Sequence, residues 1–189
     1  MVDKQKTIDK SVTVSGTGLH TGQLGQITMH SAPENHGIKF RRVDIESKPI
    51  IDADINLVVS TDRGTTLSKN GYSLYTIEHL LAAFMGLGVD NVMIDVDMEE
   101  IPIKDGSSIH FINAIKEAGI VEQKANRKYI EITEPISYII PDKNIEMLIE
   151  PAEKFSATVT IDFEAEILGK QIATLDDINK FESEIAPCR

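Results

Sequence analysis

The period of the hydrophobic pattern changes along this chain, and that change limits what it can fold into. In "KSVTVSG", "GQITMHS" and "HGIKFRR" apolar and polar residues alternate, as in strands with one buried face. From Ile77 to Leu87 the apolar positions Ile77, Leu80, Leu81, Phe84 and Leu87 follow the i, i+3, i+4, i+7 spacing of a helix. "DNVMIDVDM" returns to period two, and "DGSSIHFINAIKEAG" again aligns Ile109, Ile112 and Ile115 on one helical face. Strands and helices are therefore both expected.

Turn chemistry divides the pattern into elements. The first forty residues read as an antiparallel meander, and residues 45–72, with the turns Asp62-Arg63-Gly64 and Lys69-Asn70-Gly71, as a small β insertion. The first helix is expected to be capped by Ser73 or Thr76 and to end at Gly86 or Gly88. The second is expected to start at Ser107 or Ser108 and to be closed by Gly119. "VEQKANRK" reads as a linker, which places a first domain over residues 1–124 and a partial second one over 125–189. Strands resume at "KYIEITEPISYII", "NIEMLIEPAE" and "FSATVTIDF". A last helix fits "TLDDINKFESEI", where Thr174 and Asp177 have capping-box spacing and Pro187 ends the run. "ITMHSAPENHGIKF" and "EMLIEPAEKFSATV" share a strand, turn, strand grammar, which either duplicated modules or chance recurrence explains.

Composition excludes several function classes. A net charge of -11, spread along 189 residues, disfavours nucleic acid and anionic membrane as partners. The single cysteine, Cys188, rules out a disulfide framework or an all-cysteine zinc site within these residues. No stretch approaches the length of a transmembrane helix and the first residues lack a signal-like apolar run, so the cytoplasm is the expected location.

Several residues carry possible chemistry. Glu78 and His79 project about 100° apart on a helix, so both can border one pocket. The pair reads either as an ordinary helix start or as a base beside a metal ligand. It is not the His-Glu-x-x-His zinc pattern, because it offers one imidazole. "GTGLHTG" leads into a strand instead of a helix, so it reads as a hairpin turn with His20 at its tip and not as a dinucleotide loop. Asp105 and His110 lie in turn-and-cap chemistry, and His30 and His36 flank a loop.

"GTGLHTG", "APENHGIKFRR", "TIEHLLAAFMGLGVDN", "EIPIKDGSS", "TIDF" and "APCR", in this order, resemble the UDP-3-O-acyl-N-acetylglucosamine deacetylases, zinc hydrolases of lipid A biosynthesis. "RGTTL", "ILGKQIATLDD" and "EIAPCR" look closer still to the form fused to a 3-hydroxyacyl-carrier-protein dehydratase. The resemblance implies an α+β fold of two similar two-layer modules, each an antiparallel sheet against two helices, the second truncated here. It implies Glu78 as general base, His79 as zinc ligand and His20 as a histidine facing the site. Gly64, Thr65 and Thr66 match the insert beside the reacting group. Lys143, Asp162 and Phe163 match contacts to the nucleotide of the UDP-sugar acyl substrate.

Members of that family continue beyond "APCR" into a Thr-Phe pair and a His-Lys-x-x-Asp run that carries the other two zinc ligands. Neither is present in these 189 residues. The expectation is a piece of the enzyme that is inactive and essentially zinc-free by itself, and that self-associates or is locally disordered after about residue 125. The competing expectation is a non-catalytic binding or scaffold module that keeps the fold.

Overall fold

The structure is a computed structural model and describes residues 3–163 and 165–189. It falls into two compact units, one formed by residues up to Asn126 together with Phe181–Arg189, the other by Arg127–Lys180. The architecture is α+β, as the mixed periods imply.

In the larger unit the strands are β1 (Lys4–Ile8), β2 (Val12–Thr17), β3 (Leu24–Ser31), β4 (Ile38–Arg42), β5 (Ile50–Asp52), β6 (Val58–Ser60), β7 (Thr66–Lys69) and β8 (Tyr72–Leu74). Helix α1 (Glu78–Leu87), β9 (Val92–Val96), α2 (Ile109–Ala118) and β10 (Ile120–Asn126) follow. The main sheet has the order β2-β3-β9-β4-β5. One row of paired residues, Met29, Ile94, Phe40 and Ile51, crosses four of its strands, and all four side chains are fully buried. Helix α1 contributes Leu80, Ala83 and Phe84 to the core, and α2 contributes Phe111, Ile112 and Ile115. The helices pack on each other and α2 packs on β2, so a two-layer core forms. Gly88 ends α1 in the left-handed conformation at φ 67°, its N–H donating back to Met85 and Phe84.

The strand arrangement differs from a simple meander. β9 enters between β3 and β4, antiparallel to the first and parallel to the second, while β1 leaves the main sheet and pairs with β10. β10 is the segment expected to be a linker. It forms a strand because polar side chains anchor it: Gln123 donates to the Ala32 carbonyl and accepts from Asn91, and Glu34 accepts from the N–H of Ala125. Of the β insertion expected over 45–72, β5 joins the main sheet, and β6, β7 and β8 form a separate three-stranded sheet.

The capping expectations also change. Ser73 lies in β8, and the Thr76 hydroxyl donates to Glu100 instead of capping α1, whose first position follows Ile77 with no side-chain cap. At α2 the Ser107 hydroxyl donates to Asp105 and the Ser108 hydroxyl to the His79 carbonyl.

The smaller unit consists of two hairpins, β11 (Ile136–Ile140) with β12 (Ile145–Ile149), and β13 (Ala157–Asp162) with β14 (Lys170–Leu175). Thr174 pairs with Thr158 inside β14, so it caps nothing. The expected last helix shrinks to a 3₁₀ turn, Ile178–Lys180, and the short α3 (Phe181–Glu184), which clusters with the larger unit. Phe181 is buried there against Gly86, where a β-carbon would overlap its ring. Among the described residues, no helix is long and apolar enough to cross a membrane.

Candidate functional site

Three segments of the larger unit meet at the start of α1: the β2–β3 turn with His20, the β6–β7 loop with Arg63, Gly64 and Thr65, and α1 itself. Glu78 is the first residue of α1, and its Oε2 accepts a hydrogen bond from the Thr65 N–H at 2.9 Å. His79 Nε2 lies 3.8 Å from Glu78 Oε1, too far for a hydrogen bond, and about a third of each side chain faces solvent. The acid and the imidazole are therefore not used up on each other. The His79 carbonyl accepts from the Ser108 hydroxyl at 3.0 Å, which ties the first turn of α1 to the start of α2.

His20 Nε2 lies 3.1 Å from the Arg63 carbonyl. A carbonyl can only accept, so in this contact Nε2 carries the proton. Gly64 lies between the two functional groups: a β-carbon there would sit 3.4 Å from Glu78 Oε1 and 3.7 Å from His20 Nε2. Beside it opens a cleft of about 570 Å³ whose lining includes His20, Gly64, Thr66, Tyr75 and Thr76. The structure thus gathers His20, Gly64, Thr65, Thr66, Glu78 and His79 at one edge of the larger unit.

Lys143, Asp162 and Phe163 belong to the smaller unit. Lys143 ends the 3₁₀ turn Pro141–Lys143, Asp162 ends β13 opposite Lys170, and the Phe163 N–H donates to the Gly169 carbonyl. Asp105 behaves as a turn residue. Its carboxylate accepts from the hydroxyl and N–H of Ser107, which, with His110 at 3.1 Å, hold its pKa at about 2.

Glu100 was not singled out from the sequence. Its side chain is fully buried, and it accepts from the N–H groups of His20 and Thr21 and the hydroxyls of Thr21 and Thr76. Burial pushes its pKa up, but these donors outweigh that and hold it below the ordinary carboxylate value. Nothing local announces this, because the donors come from loops 24 to 80 residues away.

Catalytic zinc takes three protein ligands and a water. Among the described residues no group of three or more His, Cys, Asp or Glu could hold a metal ion, and one imidazole, His79, stands beside Glu78. His79 fits one ligand position, and Glu78 fits a base next to it.

The family model for UDP-3-O-acyl N-acetylglycosamine deacetylase matches residues 5–189. The chain belongs to this deacetylase family. A bifunctional enzyme LpxC/FabZ of Porphyromonas gingivalis is 42% identical over 188 residues, covering 100% of this chain and 41% of the relative. That of Bacteroides thetaiotaomicron is 40% identical over 186 residues, covering 98% and 40%. The UDP-3-O-acyl-N-acetylglucosamine deacetylase of Methylococcus capsulatus is 40% identical over 189 residues, covering 98% of this chain and 62% of the relative. The chain therefore spans about two fifths of the bifunctional relatives and about three fifths of the deacetylase.

Proposed function

We propose that the gene product carrying these residues removes the N-acetyl group from UDP-3-O-acyl-N-acetylglucosamine in lipid A biosynthesis, and that this chain supplies its general base. The observation that carries the reading is the Glu78 carboxylate, held at Oε2 by the Thr65 N–H, with Oε1 3.8 Å from the His79 imidazole, which it does not bond. With Oε2 engaged, Oε1 is the oxygen that takes the proton from the attacking water. His79 serves as one zinc ligand. Zinc, when bound, polarises an amide carbonyl and lowers the pKa of water toward about 7. His20 and the Gly64, Thr65 and Thr66 segment border the reacting acetamide. Lys143, Asp162 and Phe163 contact the nucleotide from a second domain that begins near residue 125. Because His79 is one ligand where three are needed, the 189 residues alone are expected to bind zinc weakly and to turn over poorly.

The acidic charge and the single cysteine favour a cytoplasmic protein without nucleic-acid partners. Exposed Ile136, Tyr138, Met147, Leu148 and Ile172 on the hairpins favour self-association of the isolated chain.

The test is acetate release from the UDP-sugar substrate by the gene product and its Glu78→Gln variant. Removing a general base is expected to lower kcat by about 100- to 10,000-fold with bound zinc unchanged. Equal kcat in the two proteins rejects Glu78 as the base, and no release by the unmodified protein favours a binding or scaffold module.

A further inference from the structure

We propose that Glu100 is a positioning residue that sets His20 and Glu78 relative to each other. The inference rests on the deacetylase reading above for its kinetic arm only.

A carboxylate buried without a cation is costly, and a core built for stability alone would place an apolar side chain there. Glu100 instead meets neutral donors. Oε1 accepts from the His20 N–H at 2.9 Å and the Thr76 hydroxyl at 3.0 Å, and Oε2 from the Thr21 N–H at 2.7 Å and the Thr21 hydroxyl at 2.8 Å. Each of these partners donates, so the ionised form satisfies them all, whereas an amide would turn its NH₂ toward donors.

The two segments joined are the β2–β3 turn that carries His20 and the approach to α1 that leads to Glu78. On one, the Glu100 bonds fix the backbone of His20, whose ring reaches the Arg63 carbonyl. Gly18 allows that turn to fold onto the carboxylate, because a β-carbon there would overlap Glu100 Oε2. On the other, Thr76 is held at φ 60°, a left-handed conformation that a β-branched residue adopts only under constraint, two residues before Glu78. The Arg63 loop continues to Thr65, whose N–H holds Glu78. A closed path of contacts therefore runs from Glu100 through His20, Arg63 and Thr65 to Glu78 and back through Thr76.

The experiment compares the gene product with its Glu100→Gln, His20→Ala and doubly substituted variants, using acetate release and the ¹⁵N signals of the His20 ring. Glu100→Gln is expected to lower kcat by about 10- to 100-fold with KM little changed. It should also shift the His20 ring nitrogens away from the Nε2-protonated form. In the His20→Ala background the same change should cost less than it does alone, because part of its effect passes through His20. Unmoved His20 signals, or full additivity of the two substitutions, overturn the proposal. If Glu100→Gln fails to fold, Thr21→Val, which removes one donor and leaves the carboxylate, should shift the same signals less, and unmoved signals there overturn it too. An unmodified gene product without acetate release refutes the deacetylase reading, while the ring signals still decide the role of Glu100.

Discussion

At the scale of single residues, the larger unit uses carboxylates as joints between segments. Asp52 in β5 accepts Lys39 of β4 at 2.9 Å and Lys69 of β7 at 2.6 Å, so one side chain pins the inserted sheet to the main one. The Lys69 and Lys39 ammonium groups hold its pKa down at about 2 against an ordinary 3.8. A carboxyl whose folded pKa is depressed stabilises the fold fully above its unfolded value, and that contribution fades as pH falls through the folded value. The shift corresponds to about 2 kcal/mol unscreened and to about 1 kcal/mol once solvent around these one-third-exposed side chains is allowed for. Urea unfolding should therefore show Asp52→Asn to be about 1 kcal/mol less stable than the parent at neutral pH, the gap closing between about pH 4 and pH 2. A gap that persists below that window would assign the loss to something other than the charge. Asp95 follows the same sign: burial pushes its carboxyl up, and Arg41, with His30, outweighs that and brings it down.

At the scale of elements, what could be read from the sequence was local. Helix α1 was visible because Ile77, Leu80, Leu81 and Phe84 keep one period, and its end was narrowed to Gly86 or Gly88, of which the fold uses Gly88 in a left-handed turn. β10 was invisible because its side chains are polar and its reasons to extend, β1 and the loop with Glu34, are about 90 to 120 residues distant. The parallel pairing of β4 with β9 was equally hidden, since no local pattern encodes which strand enters between two others. Glu78 and His79 stood out as an adjacent pair, but the Thr65 N–H that orients Glu78 and the Glu100 carboxylate behind His20 needed the fold. The packing of α3 belongs to this scale as well. Phe181 occupies the space a β-carbon at Gly86 would take, so Gly86→Ala sets a helix-propensity gain of about 1 kcal/mol against overpacking of about 1 to 3 kcal/mol. Overpacking is expected to win. The variant should unfold at lower urea and lose amide protection around Phe181, and a gain in stability would show that α3 packs elsewhere.

At the scale of the whole molecule, the two units differ in what holds them. The larger buries three phenylalanines completely, Phe40 of β4, Phe84 of α1 and Phe111 of α2. The smaller, Arg127–Lys180, is built from two-stranded hairpins, and Tyr138, Met147, Leu148, Ile161 and Ile172 on them are about half exposed or more. An isolated two-stranded hairpin is marginally stable in water, and an exposed apolar surface of this kind promotes association. Limited proteolysis of the 189-residue chain should therefore cut first within residues 127–180 and leave a resistant fragment ending near Asn126, as read by mass spectrometry. Light scattering should show the uncut chain forming larger species as concentration rises, and cleavage in 127–180 should abolish them, because the associating surface leaves with the hairpins. A uniformly protected, full-length monomer would contradict both expectations and would mean that these apolar side chains are covered within a single chain.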